Sequence, residues 1–250
     1  MKTSIKLLVA ALLVVVIALA VYNTMIHREY KTGVFRIPHR NFTDLNFKNF
    51  DTINVNSSTA VNVQFEQGPF RVRLAPGADE YARISQENHT LNIHAVFKYG
   101  YQNNPNTYLL IISCPKIARL SANGWYGTSG KIYIDTIVKD EWNMRKVWIE
   151  GFKQDSLHID QDYASTVVLS NNTIGSVKAE VGRSTGSGSK IIVLKNNRFQ
   201  HMDLDIRNKS RLLLDGAAIS DLNYKLADSA KLVFSGSAQN LIGHSKSNQK

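Results

Sequence analysis

The stretch Lys190-Ile191-Ile192-Val193-Leu194-Lys195-Asn196-Asn197-Arg198-Phe199-Gln200-His201-Met202-Asp203-Leu204-Asp205-Ile206 decides the fold. An apolar run ends at Leu194 and the polar Lys195-Asn196-Asn197 turns the chain. Met202, Leu204 and Ile206 then alternate with polar residues in the period of a half-buried strand. Leu194, Phe199 and Met202 are spaced by five and then three residues, and the same spacing returns in Leu169, Ile174, Val177 and in Leu214, Ile219, Leu222. Phe234 followed by Ile242 reads as a degraded fourth copy. The starts advance by 25, 20 and 20 residues, and the longer step holds Gly182 to Ser189, a Gly/Ser-rich stretch with the composition of a flexible loop. A short period with two strands per unit is the signature of a β-solenoid, in which each coil buries its inner face by stacking on its neighbours. An antiparallel sandwich would leave the register unexplained.

The repeat assigns side chains to faces. In one strand column Leu157/Ile159, Val177/Ala179/Val181, Met202/Leu204/Ile206 and Leu222/Tyr224/Leu226 point inward. Their neighbours His158/Asp160/Asp162, Lys178/Glu180, Asp203/Asp205/Arg207 and Asn223/Lys225 point outward, with opposite charges alternating from coil to coil as cross-strand pairing favours. In the other column Val167/Leu169, Ile192/Leu194, Leu212/Leu214 and Leu232/Phe234 are expected inside. That turns Val168, Val193, Leu213 and Val233 outward as a continuous apolar stripe. Such a stripe is a candidate interaction face for self-association or for another protein. The alternative is that the aliphatic stems of Lys190, Lys195, Arg211 and Lys231 cover it.

Toward the N-terminus the same strand period continues without the clear repeat. Ile53-Asn54-Val55, Val61-Asn62-Val63-Gln64-Phe65, Phe70-Arg71-Val72-Arg73-Leu74 and Leu91-Asn92-Ile93-His94 alternate, and Gly68, Pro76-Gly77 and Asn103-Asn104-Pro105 punctuate them as turns. No segment past residue 40 carries a helical stripe of several turns. The expected fold is therefore all-β, a right-handed parallel β-helix or β-solenoid over residues 45–245 with a polar tail at 246–250, preceded by one N-terminal transmembrane or signal helix.

That helix is read from Leu7 to Val21, an unbroken apolar run flanked by Ile5 and Tyr22 and preceded by Lys2 and Lys6. With its flanks it approaches the roughly 20 residues that cross a bilayer. Two readings stand open: an uncleaved anchor over residues 1–23, or a signal peptide cleaved near Ala20, since Ala18-Leu19-Ala20 has the small-x-small pattern. A buried core helix is disfavoured because no face is polar. Residues 24–44 read as a basic juxtamembrane linker able to lie on anionic headgroups. Its Arg28, Lys31, Arg36 and Arg40 favour a cytoplasmic C-terminal side by simple charge counting. A long following domain, however, translocates largely regardless of such charge, so a β domain outside the cytoplasm is preferred, periplasmic or at the cell surface.

The 250-residue chain has 43% hydrophobic and 20% charged residues, which excludes a wholly disordered polymer, and a net charge of +10. Lys2, Lys6, Arg28, Lys31, Arg36 and Arg40 against Glu29 place +5 of that charge in residues 1–40. The remaining +5 is spread over the β domain, without a recognition helix or an aromatic-basic reader motif, which argues against nucleic acid as a partner.

Chemistry-bearing motifs are sparse. His158, Asp160 and Asp162 at strand spacing are the one candidate acidic face, able in principle to hold a cation or to act as paired carboxylates on a polysaccharide. Gly182 to Ser189 has no phosphate-loop pattern, and Ser187 is not in a nucleophile elbow. Cys114, the single cysteine, follows an apolar run and precedes Pro115, which suggests a buried thiol at a strand end. Nothing has the spacing of a zinc or cofactor site. Trp125, Tyr126, Trp142 and Trp148, with Tyr99 and Tyr101, suggest core packing or capping, with a sugar-stacking platform as the alternative.

Phe50-Asp51-Thr52-Ile53-Asn54-Val55, then Val61 to Gly68, then Leu91-Asn92-Ile93-His94 resemble the opening of the bacterial "putative auto-transporter adhesin, head GIN domain" family. Tyr108 to Cys114 with Pro115-Lys116-Ile117-Ala118-Arg119-Leu120 resembles its next segment. Asn123-Gly124-Trp125-Tyr126-Gly127 departs from the small Gly/Ser turns of that family. The resemblance implies an envelope β-solenoid and supplies no catalytic residues. The expected function is a non-enzymatic structural or adhesive surface module that binds an envelope glycan or another protein, without a cofactor. The alternative is a polysaccharide-active β-helix enzyme, a lyase or glycosidase, using the His158/Asp160/Asp162 face.

Overall fold

In the computed structural model, which describes residues 3–33, 39–100, 108–136, 145–227, 229–243 and 246–247, the chain divides into two units, Met1–Phe42 and Thr43–Lys250. The first is built on α1 (Thr3–Thr32), which contains neither Gly nor Pro and so runs unbroken through the apolar segment and beyond Tyr22. Gly33 ends it at φ +66°, its N–H donating to the Tyr30 carbonyl, and Lys31 sits in the last turn where the helix dipole favours a cation. None of the helix side chains is buried.

The second unit is all-β. Its first half comprises β1 (Thr43–Leu45), β2 (Thr52–Val55), β3 (Val63–Gln67), β4 (Arg71–Leu74), β5 (Ala82–Glu87), β6 (Thr90–Phe97), β7 (Leu110–Cys114), β8 (Arg119–Ala122), β9 (Trp125–Thr128) and β10 (Lys131–Ile134). Its second half comprises β11 (Val147–Glu150), β12 (Lys153–Gln161), β13 (Thr166–Ser170), β14 (Thr173–Val181), β15 (Lys190–Val193), β16 (Arg198–Ile206), β17 (Arg211–Asp215), β18 (Ala218–Leu226), β19 (Lys231–Ser235) and the short β20 (Lys246–Ser247).

Two sheets result. One runs β1-β4-β7-β3-β11-β13-β15-β17-β19, the other β10-β9-β6-β2-β8-β12-β14-β16-β18-β20, with β5 paired to β6. From β11 onward successive strands alternate between the sheets; β11 and β12 pair in parallel with β3 and β8, and from β13 onward each pairs in parallel with the strand two before it. The first half is different: β1 with β4, β4 with β7, β5 with β6 and β9 with β10 are antiparallel. The sheets are thus mixed, which corrects the expectation of a parallel β-helix across residues 45–245. The physical cause is local. Asn88 at φ +54° lies in the two-residue β5–β6 turn, and Ser129-Gly130, at φ +49° and +75°, closes the β9–β10 hairpin. At Ser129-Gly130, positive φ at both central residues gives the turn whose twist matches a hairpin.

The space between the sheets is filled by Phe50, Ile53, Phe65, Leu91, Ile112, Leu120, Ile149, Phe152, Val177, Met202, Leu204 and Leu214, all buried. Each such side chain contributes about 1.5–3 kcal/mol by leaving water. The corners of the parallel stack carry buried polar side chains, several of which bond one another. Asn172 and Asn197, both fully buried, form a ladder: Asn172 Nδ2 donates to Asn197 Oδ1 (2.9 Å) and to the Ile149 carbonyl (3.0 Å), and Asn197 Nδ2 donates to the Leu169 carbonyl (2.7 Å).

Register corrects two further expectations. Leu169 pairs with Val193, 24 residues on, and Val193 pairs with Leu214, 21 residues on. Leu194, which shares the five-and-three spacing, is not the ladder partner of either. Ile191 and Val193 therefore point inward and are fully buried, and Ile192 takes the outward place assigned to Val193. The Gly182 to Ser189 stretch forms an ordered corner. Ser187 and Ser189 are fully buried and donate to the Tyr163 carbonyl (2.9 and 2.5 Å), and Gly188 N–H donates to the Thr136 carbonyl. In place of a fourth strand pair, Gly236–Gly243 is a 3-10 helix, and Lys246–Ser247, in the expected tail, pairs with Asn223 and Tyr224. The turn at Asn103-Asn104-Pro105 lies outside the described residues.

Candidate functional site

The outward row of the first sheet runs Ile111, Gln64, Trp148, Val168, Ile192, Leu213, Val233. Its exposure is uneven: Val168 is 2% exposed, Ile192 and Leu213 are half-buried, and Val233 is 46% exposed. Of the expected stripe Val168, Val193, Leu213 and Val233, the structure brings together Val168, Leu213 and Val233. Val193 belongs to the core, and open exposure is confined to Val233.

On the second sheet, register places Arg119, His158, Lys178, Asp203 and Asn223 in one outward row. Ser121, Asp160, Glu180, Asp205 and Lys225 form the next. Asp160, Glu180 and Asp205 are thus like charges on adjacent strands, contrary to strict alternation, and compensation comes from the neighbouring row. Arg119 Nε lies 3.4 Å from Asp160 Oδ2, and His158 Nε2 lies 3.3 Å from Asp160 Oδ1. Arg207 pairs with Asp205. Donor atoms of His158, Asp160 and Glu180 lie within 4.8 Å of one another, so these three form a set able to hold a cation. Any such ion would compete with Arg119 for Asp160.

Asp162 does not join this face. β12 ends at Gln161, and the Asp162 carboxylate, 7% exposed, turns into the corner. There it accepts from Ser184 Oγ (2.6 Å), Ser184 N–H (3.1 Å) and Tyr163 N–H (2.9 Å). Its role is to hold the Gly182 to Ser189 corner, and the expected three-residue face is reduced to His158 and Asp160. Glu180 and Arg119, their close neighbours, come from positions that only the strand register aligns.

A larger concavity, of about 590 Å³, lies where β12, β14, β16 and β18 begin. Lys153, Thr173, Arg198 and Ala218 form one row across it, and Asp155, Gly175, Gln200 and Ser220 lie between the next paired positions. Ile174 and Phe199, both buried, form its floor. A second hollow of about 200 Å³ sits among Lys178, Glu180, Asp203, Asp205 and Lys225. Sequence reading passed over the larger groove. Its residues are unremarkable singly, and the available signal was the small outward residues Gly175 near the start of one strand and Ala218 and Ser220 near the start of another.

Cys114 ends β7 fully buried, and desolvation pushes its thiol up to about 12, which leaves it protonated and unreactive. The aromatic cluster read from the sequence is divided. Trp125 packs against His94 (4.5 Å between ring centroids), Tyr126 stacks on Tyr133 (6.0 Å), and Trp148 lies on the other sheet. Trp142 and Tyr101 are outside the described residues. The β10 edge strand exposes Ile132 (71%), Tyr133 (47%) and Ile134 (51%), a second apolar surface.

No family model and no curated protein matches the chain, so the head GIN resemblance has no family match behind it. Among solved structures, one described as a "putative adhesin" from Parabacteroides distasonis ATCC 8503 is similar at TM-score 0.50 and 13% identity, over 77% of this chain and 71% of its own. At that identity the likeness concerns the fold alone. A "putative adhesin" from Bacteroides fragilis NCTC 9343 aligns at TM-score 0.49 and 14% identity, over 84% of this chain and 96% of its own. A "putative lipid binding protein" from Parabacteroides distasonis ATCC 8503 aligns at TM-score 0.36 and 12% identity, over 84% and 96%.

Proposed function

We propose that the chain is a non-enzymatic cell-envelope binding module, held at a membrane by α1, with the β unit outside the cytoplasm as a structural or adhesive surface. The observation that carries this reading is α1 itself. Its best window has a mean hydropathy of 2.9 with none of it buried, and so apolar an exposed helix is long enough to cross a bilayer and has the character of an anchor or an export signal. The β unit buries its own core, and a fold neighbour is described as a "putative adhesin", which supports a binding role. The parallel register from β11 to β19 supports a right-handed β-solenoid for that half, extended sideways by the hairpins of the first half.

The test is fractionation of cells producing the full chain, with protease added outside. Expected is recovery in membranes resistant to alkaline carbonate, with the β unit digested from the outside, together with retention of envelope material. A β unit shielded by the intact inner membrane overturns the orientation, and release as a shortened soluble chain replaces the anchor with cleavage near Ala20. The polysaccharide-cleaving alternative would act through His158 and Asp160 without Asp162. Cleavage of an acidic polysaccharide, lost in Asp160→Asn, would replace the binding reading.

A further inference from the structure

We propose that the groove across the starts of β12, β14, β16 and β18 is a binding site for an acidic oligosaccharide bearing carboxylates. The inference rests on the binding-module reading and assigns that module its ligand class and its residues.

The groove is concave because of what occupies its outward positions. Gly175 has no side chain, and a Cβ there would stand 2.7 Å from the Asp155 carbonyl oxygen, so the close backbone approach requires glycine. Ala218 adds a methyl alone. At about 590 Å³ the hollow falls within the range of small-molecule sites, and polar and apolar surface share its lining about evenly where such sites are mostly apolar. Its hydroxyl, amide and charged groups, with the aliphatic stems of Lys153 and Arg198 beside them, suit a ligand with hydroxyls on its edges and C–H on its faces.

The polar groups of the wall are uncommitted. Among the described residues, Lys153, Asp155, Thr173, Arg198, Gln200 and Ser220 make no side-chain hydrogen bond or ion pair within the protein. Close by, equivalent groups are engaged: His201 Nδ1 is 2.8 Å from Asp221 Oδ2, and Gln154 bonds both backbone groups of Ile117 (3.0 and 2.7 Å). Thr173, Ser220 and Gln200 both donate and accept, and Asp155 accepts, which is the inventory that sugar hydroxyls require. Two cations against one carboxylate favour an anionic ligand, and the Arg198 guanidinium presents the planar fork that meets a carboxylate with two bonds. Lys153 and Arg198 stand two strands apart, about 10 Å along the stack. They can therefore meet two separate carboxylates of one extended chain. Nucleic acid fits less well, because no exposed aromatic ring in the groove offers a base a stacking surface.

The experiment uses the full chain in nanodiscs, titrated by calorimetry with an oligouronate tetramer, its fully methyl-esterified form and inorganic phosphate. Expected is saturable oligouronate binding, weakened at least tenfold by esterification, by Arg198→Ala and by Lys153→Ala, and unchanged by Lys178→Ala outside the groove. Both groove residues are exposed, and unchanged thermal unfolding of the variants confirms intact folding. Phosphate that competes as well as the oligouronate overturns the sugar assignment, and binding indifferent to both groove variants overturns the site. Retention of envelope material without any oligouronate binding overturns the ligand class and leaves the binding-module reading standing. Failure to retain any envelope material overturns that reading as well.

Discussion

The two halves of the β unit bury similar cores but satisfy their buried polar groups differently. In the stack from β11 to β19, one side chain serves the equivalent group of the next coil: Asn172 bonds Asn197 at one corner, and Ser189 N–H donates to Ser210 Oγ (3.2 Å) at another. In the half from β1 to β10, antiparallel hairpins interrupt the register, Thr59 Oγ1, Arg73 Nε and Thr128 Oγ1 are buried without a partner, and the paired groups meet partners found once. Ser57 Oγ accepts from Ala95 N–H (2.8 Å), donates to the Trp125 carbonyl (2.9 Å) and lies 3.2 Å from His94 Nδ1. Repetition makes polar ladders cheap to build, while an irregular region depends on singular contacts.

The largest test of this contrast is Asn197→Ala. It leaves the Asn172 backbone N–H without its acceptor and removes one bond each from Asn172 Nδ2 and the Leu169 carbonyl, which keep the Ile149 carbonyl and the Leu194 N–H, and a loss of about 3 kcal/mol in denaturant unfolding is expected. A loss under 1 kcal/mol would break the claim that the ladder holds the coils in register. Next, Val193→Ala should cost about 2 kcal/mol as a core truncation. Val233→Ala, one column out and two coils on, should cost less than about 0.5 kcal/mol. Equal costs would restore the outward reading of Val193.

In the irregular half, Gly130→Ala places a Cβ at φ +75° with open space around it, so the cost is backbone strain alone, about 1 kcal/mol. Hydrogen exchange should rise in β9 and β10 and stay unchanged in β14 and β16. The smallest effect is a pH dependence. Burial first, and then the Arg83 charge, hold the His94 pKa below the usual 6.5. The folded form therefore resists protonation that the unfolded chain accepts, and stability is lost as pH falls below about 6.5. Chemical-denaturation midpoints in His94→Gln should show a shallower acid loss.

Reading the sequence succeeded where a physical period was strong. The apolar run of α1 and the inward residues Val177, Met202 and Leu222 follow from it, because hydrophobic periodicity reports burial directly. It failed where one residue of slippage inverts a strand. Leu194 matched Leu169 and Leu214 in spacing, yet Val193 took the inward place, because a corner absorbs one residue more or less at little cost while a strand face cannot. It failed again at Asp162, since two residues of strand spacing from Asp160 did not reveal that β12 had already ended at Gln161.

The sequence by itself determined that this chain has a membrane-length apolar helix and a β unit with repeating coils, and that half of its net charge lies at the helical end. These are properties of composition and period, carried by residues near one another in the chain. Only the tertiary structure decided that the first half contains hairpins and that Asp160, Glu180 and Asp205 stand side by side. It also decided that Lys153, Arg198 and Gln200 face one groove. Those juxtapositions join residues 20 or more positions apart, and a sheet sets them through backbone register, which side-chain identity constrains weakly on a solvated face.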